Sequence, residues 1–226
     1  MTQQRDLPAG GFSSWLRRTR ITHLKDSGAD VPCGGCTACC TSSYFVHIGP
    51  DETETLARIP AELLFAAPDL PNGNVLLGYD EDGRCPMLRD GACWIYAHRP
   101  LTCRNYDCRV YAAAGIDADR ALITQRARRW SFSHPTEDDR RQHSAVQAAA
   151  TFVQEHAECF PGGAVPGDPA QVALLAIKVS DVLLKYGDGS GETGRAPRDA
   201  DIAKAVVEAN KEYAAERDSL RVQPGG

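Results

Sequence analysis

The stretch Cys33-Gly34-Gly35-Cys36-Thr37-Ala38-Cys39-Cys40 places four thiols in eight residues. After a gap of 44 residues, Cys85, Cys93, Cys103 and Cys108 follow at spacings of seven, nine and four. Core packing does not explain such a density, because a buried cysteine acts as a small apolar side chain that any of several residues can replace. Two residues between cysteines is the loop length that lets both sulfurs reach one metal or cluster, and small residues such as Gly34, Gly35 and Ala38 let the backbone wrap closely. Three cysteines at successive spacings of two also match the first three ligands of a bacterial ferredoxin-type cluster. Soft thiolates select iron–sulfur, zinc or cuprous copper and disfavour calcium and magnesium.

The compartment decides between disulfides and metal. The N-terminal Met1–Arg20 segment has no apolar core ahead of its basic residues, and the chain has no apolar run of 18 residues. These features lead to the expectation of a cytoplasmic protein without a membrane partner. In a reducing compartment, clustered thiols point to metal or redox chemistry. A net charge of −5 argues against nucleic acid and anionic lipid. Cys159 stands apart, at the end of an apparent helix, and counts as the spare.

Around the cysteines the pattern is that of short strands and turns. Residues 42–50 read as a strand ended by Gly49 and Pro50, and Asp51 is a candidate cap for a short helix that stops near Pro60. Asp82-Gly83 and Asp90-Gly91 are hairpin signals. Helical periodicity dominates elsewhere. Residues 11–25 suggest a helix with Trp15, Ile21 and Leu24 on its apolar side. Val146, Ala149, Ala150, Val153, Ala157 and Phe160 repeat at helical spacing before Pro161-Gly162-Gly163. Asp168 and Pro169 open a further helix whose apolar face carries Val172, Leu175, Val179, Val182, Leu183 and Tyr186, with Gly187 at its end. Residues 188–197 read as a linker, and a last helix near 198–216 presents Ile202, Ala205, Val206, Ala209 and Tyr213. The expected fold is α+β: a small cysteine-rich metal-binding domain with short hairpins, then a mainly helical C-terminal part. The expected divisions are 1–29, 30–112, 113–190 and 191–226.

With its cysteine order and the segment Ile95-Tyr96-Ala97-His98-Arg99-Pro100-Leu101-Thr102-Cys103-Arg104, the chain resembles the YkgJ-type cysteine-cluster family, the CxxCxxCC domain named for zinc or iron chelation. The resemblance covers roughly residues 30–110. It implies a metal or iron–sulfur site built from Cys33, Cys36, Cys39, Cys40, Cys85, Cys93, Cys103 and Cys108. His47 and His98 are weaker candidates, each more simply read as a surface or hydrogen-bonded histidine, with His98 the better placed. Arg99 and Arg104 suit positions beside thiolates, where a guanidinium offsets excess negative charge. The run Gln125–Phe132 interleaves arginine with aromatics, but the acidic balance favours a solvated helix face over a single-strand binder.

Three function classes follow: an iron–sulfur protein in redox or electron transfer with an unidentified redox partner, a zinc-stabilised protein-interaction module, and a cluster-dependent modifying enzyme. The third rests on flagellin lysine methylases carrying a similar domain. The chain has no glycine-rich nucleotide loop and no Cys-x3-Cys-x2-Cys triad, so no catalytic residue is assigned.

Overall fold

The computed structural model describes residues 6–25, 29, 31, 33, 35–68, 70–163, 165–187 and 198–222. The linker expected at 188–197 lies outside the described residues, as do Pro32, just before the cysteine stretch, and Gly34 within it. The architecture is α+β, and the chain divides into two compact units, Ser27–Asp107 and Met1–Asp26 with Cys108–Gly226. The N-terminal segment is therefore part of the helical unit rather than a separate lead-in, and the break falls at Asp107/Cys108.

In the helical unit, strand β1 (Leu7–Gly11) enters helix α1 (Phe12–Lys25). The face of α1 that is buried carries Phe12, Trp15, Leu16 and Thr19, the i, i+3, i+4, i+7 stripe of an amphipathic helix. Ile21, expected on that side with Trp15, is 44% exposed, because the stripe that starts from Phe12 leaves it on the opposite edge. Arg20 is not a free surface charge either: its Nε donates to Ile177 O at 2.9 Å and its Nη atoms bond Ser180 and Asp181.

Five further helices are α4 (Arg109–Ala114), α5 (Ala121–Ala127), α6 (Glu137–Glu155), α7 (Pro169–Gly187) and α8 (Asp199–Val222), taking α2 and α3 for the other unit. Strand β7 (Trp130–Ser133) pairs with β1 in parallel, an N-terminal strand that no alternation in residues 7–11 announces. The run Gln125–Phe132 thus ends one helix and supplies a strand, and the guanidinium of Arg126 lies 5.0 Å from the Trp130 ring.

Helix α6 starts with a capping box: Thr136 Oγ1 accepts from Asp139 N at 3.2 Å, and Asp139 Oδ2 accepts from Thr136 N at 3.0 Å. Helix α7 is capped by Asp168, whose Oδ1 accepts from Gln171 N at 3.0 Å. Its buried residues are Val172, Ala173, Ala176, Ile177, Val179 and Ser180, while Leu175, Val182, Leu183 and Tyr186 are half-buried. The buried surface is broader and centred elsewhere than the expected stripe, because α1, α4, α6 and α8 all pack on α7. Ala203 and Val206 are the fully buried positions of α8. Among the described residues no helix is long and apolar enough to cross a membrane.

The unit Ser27–Asp107 is built on a three-stranded antiparallel sheet in the order β2 (Val46–Ile48), β4 (Val75–Leu77), β3 (Leu64–Ala66). A second hairpin, β5 (Leu88–Arg89) and β6 (Ala92–Cys93), turns at Asp90-Gly91, both at positive φ. At Asp82-Gly83 the chain turns without flanking strands: Asp80 N donates to Arg84 O at 2.8 Å, and Asp80 Oδ1 accepts from both Asp82 N and Arg84 N. Short helices α2 (Thr53–Leu56) and α3 (Leu101–Asn105) complete the unit. Glu52 stands where Asp51 was expected to cap. Its carboxylate accepts from Gly49 N at 2.9 Å and Leu101 N at 2.6 Å, tying the end of β2 to the start of α3. Among the described residues the unit's core cluster is Ile48, Ile59, Leu77, Met87 and Ile95, with partly buried neighbours that include Cys85 and Cys93, and Val31 and Ala67 are buried besides. So few apolar side chains in about 80 residues give a marginal fold on their own, which is where nature adds metals or cross-links.

Candidate metal centre

A tight turn presents the doublet. Cys39, Cys40 and Thr41 form one 3₁₀ turn, held by Ser42 Oγ donating to Ala38 O at 2.6 Å and Thr41 Oγ1 donating to Thr37 O at 3.0 Å. Upstream, Cys36 N donates to Cys33 O at 2.9 Å, closing the first loop of the stretch. Cys85 N donates to Cys40 O at 2.7 Å, so the loop carrying Cys85 is fastened to the doublet through backbone. Ser43 N donates to Gly83 O at 3.0 Å and adds a second fastening. Cys93 arrives on β6, paired with Leu88 across the hairpin. Cys103 is brought in by α3, which Glu52 holds at its N-terminus and Thr102 holds by donating to His47 O at 2.7 Å.

The electrostatics show which thiols meet. The Cys40 thiol is pushed up to about 12, first by burial, then by Cys85, Cys93, Cys33 and Cys36. The Cys103 thiol is also pushed up to about 12, first by burial and then by Cys40, Cys85 and Cys93. Burial also raises Cys85, with Cys93 and Asp80 adding to it. Cys40, Cys85, Cys93 and Cys103 therefore act on one another electrostatically, and Cys33 and Cys36 act on Cys40. The grouping joins Cys103 to the hairpin cysteines.

Several groups favour the thiolate form. The backbone amides of Met87 and Leu88 act to lower the Cys85 pKa against the burial effect, in a turn that Leu88 N closes by donating to Cys85 O at 2.9 Å. The charge of Arg99 acts in the same direction on Cys103. Arg99 is itself positioned by Tyr96, whose ring lies 4.1 Å from the guanidinium and whose carbonyl accepts from Nη1 at 3.1 Å. Amides and a guanidinium directed at sulfur are the surroundings of ligating thiolates. A group of soft donors, half-buried and mutually repelling once ionised, fits a cation that would neutralise it.

The remaining candidates are placed as follows. Cys108 starts α4 in the helical unit, 7% exposed, and Trp130 Nε1 donates to its sulfur at 3.2 Å. His47 is engaged by Asn74, with Nε2 and Oδ1 2.8 Å apart, which is the ordinary reading of that histidine. The His98 carbonyl accepts from Thr55 Oγ1 at 2.8 Å. Arg104 O accepts from Ala29 N at 3.0 Å. Sequence reasoning missed the Glu52 strap and the Met87 and Leu88 amides. Both work through backbone groups, which the side-chain pattern does not mark.

Residues 32–133 match the model of the CxxCxxCC family, described as a "Putative zinc- or iron-chelating domain". Comparison with curated proteins and with solved structures gives no match.

Proposed function

We propose, with the zinc- or iron-chelating domain of residues 32–133 as premise, that this chain carries an iron–sulfur centre and serves in redox or electron transfer in the cytoplasm. Cys40, Cys85, Cys93 and Cys103 would hold the centre, with Cys33, Cys36 and Cys39 beside it as ligands of a second position or of an alternative set. Cys108 joins the proposed ligands on the order of the cysteines alone. A bound cluster would supply one-electron chemistry, and the chain would set its potential through the amides on Cys85 and the charge of Arg99. The observation that carries the reading is the backbone bond from Cys85 N to Cys40 O at 2.7 Å, which fastens the two halves of the cysteine set together, with Cys40, Cys85, Cys93 and Cys103 acting on one another's charge.

The ferredoxin-like run of Cys33, Cys36 and Cys39 at successive spacings of two supports a cluster over a single zinc ion.

Anaerobically purified protein is expected to be brown, to contain iron and acid-labile sulfide, and to bleach with dithionite. Colourless protein with stoichiometric zinc would overturn the proposal and leave the zinc-stabilised interaction module. Cys108→Ser with unchanged iron would remove Cys108 from the ligands.

A further inference from the structure

Outside the cysteine cluster, one group of unlike donors converges in the helical unit. Helix α6 ends at Glu155 and the chain continues as a 3₁₀ turn, Ala157–Cys159. In that geometry side chains three residues apart eclipse one another. His156 and Cys159 therefore share an edge, closed by Cys159 N donating to His156 O at 2.9 Å. Glu158 joins them: ligand atoms of His156, Glu158 and Cys159 all lie within 4.8 Å of one another.

A fourth donor comes from a different element. Asp199, at the start of α8, places Oδ2 3.7 Å from His156 Nδ1. Glu158 Oε1 is 3.9 Å from the same nitrogen and 3.9 Å from Cys159 Sγ. Tetrahedral zinc with nitrogen, oxygen and sulfur ligands has ligand-to-ligand edges of roughly 3.3–3.6 Å, so these three separations need to close by only a few tenths of an ångström, while Asp199, which stands outside the group that is mutually within 4.8 Å, must move further to reach Glu158 and Cys159. The His156 ring is held ready by stacking on Phe152, with centroids 4.8 Å apart at 24°.

We propose that His156, Glu158, Cys159 and Asp199 form a second metal site, for one divalent ion of the zinc class, which fastens the end of α6 to the first turn of α8. The donor set is one nitrogen, one sulfur and two carboxylates, a mixture that suits zinc and disfavours calcium or magnesium. Two carboxylates and a thiol at one point are a local excess of negative charge, and both acids raise the Cys159 thiol along with its burial. An ion binding there would displace the thiol proton to solvent and balance the carboxylates. The inference does not depend on what the cysteine cluster holds.

The test uses full-length protein as purified, with whatever metal its cysteines then hold. Alkylation of Cys159 by iodoacetamide, read on the peptide containing it, is expected to slow at least tenfold when zinc is added and to recover with a chelator. His156→Ala and Asp199→Asn should abolish the protection. Asp201→Asn, whose carboxylate is engaged by Arg198, should leave it intact. Cys159→Ser should take up one zinc per chain fewer than the unaltered protein, with iron unchanged. A Cys159 alkylation rate indifferent to zinc, or equal zinc in the two proteins, overturns the site. So does equal loss of protection in Asp199→Asn and Asp201→Asn, which would mark non-specific attraction to acid.

Discussion

At the scale of single residues, the thiols of Cys40 and Cys103 stand out, each held protonated at neutral pH when no metal is present. Metal must displace those protons, so uptake should release at least two per centre, and affinity should rise with pH through the neutral range. Proton release measured in weakly buffered solution checks the count; uptake with none would show that the thiols are already ionised. Asp139 provides the opposite case. Hydrogen bonds from Thr136 and then Ser13 hold its carboxyl well below the usual carboxylate range. A depressed folded pKa means stability that is present above the unfolded value near 3.8 and lost as pH falls below it. Asp139→Asn should therefore flatten the acid limb of the stability curve below about pH 4, as followed by helical circular dichroism. The spacing alone marks the cysteines as a candidate set in the sequence. Arg99 beside Cys103 was legible too, since excess thiolate charge calls for a cation. The strap from Glu52 was not, because its partners Gly49 and Leu101 are backbone groups that leave no mark in the side-chain pattern.

Elements were readable in proportion to their length. Helices α6, α7 and α8 carry long periodic runs, and the Asp90-Gly91 hairpin carries the turn its dihedral angles demand. Burial within those helices was less readable: α7 meets four partners, so its covered surface outgrows a single stripe, and Ile21 of α1 falls off the face that Phe12 defines. Strand β1 has no alternation because Pro8, Gly10 and Gly11 give it little side chain to alternate. Two glycines separate turn strain from crowding. Gly91 is at φ +76 with open space around it, whereas a Cβ at Gly83, φ +75, would lie 2.3 Å from Ser43 Oγ. Gly91→Ala should cost about 1–2 kcal/mol, the left-handed penalty alone, and Gly83→Ala should cost more. Thermal unfolding of the two variants ranks them, and an equal or reversed order would show that Ser43 turns away freely. Thr136→Ala removes the α6 cap and should cost about 1 kcal/mol.

For the molecule as a whole, the two compact units differ in what sustains them. A core cluster of five side chains is little for the unit Ser27–Asp107, and binding free energy there becomes folding free energy. The helical unit has its own core, with Phe12, Trp15, Ile123, Val146, Val153, Ile177 and Val206 nearly inaccessible. Removal of metal should therefore expose the amides of 35–107 to rapid hydrogen exchange while α6 and α7 remain protected. Uniform protection in the metal-free protein would contradict this.

The helical unit is discontinuous in the chain, and that has a bearing on synthesis. Ser13 N bonds Asp139 Oδ1 across 126 residues, and β1 pairs with β7 at a similar separation. Translation at about 5–20 residues per second makes β1 and α1 wait roughly 6–25 s for their partners to leave the ribosome. During that interval the aromatic face of Phe12 and Trp15 is without its cover, while the whole cysteine stretch has already emerged. The nascent chain thus meets its metal supply before its largest core can close, and a cell short of that metal would accumulate chains whose helical half closes around an open cysteine-rich half.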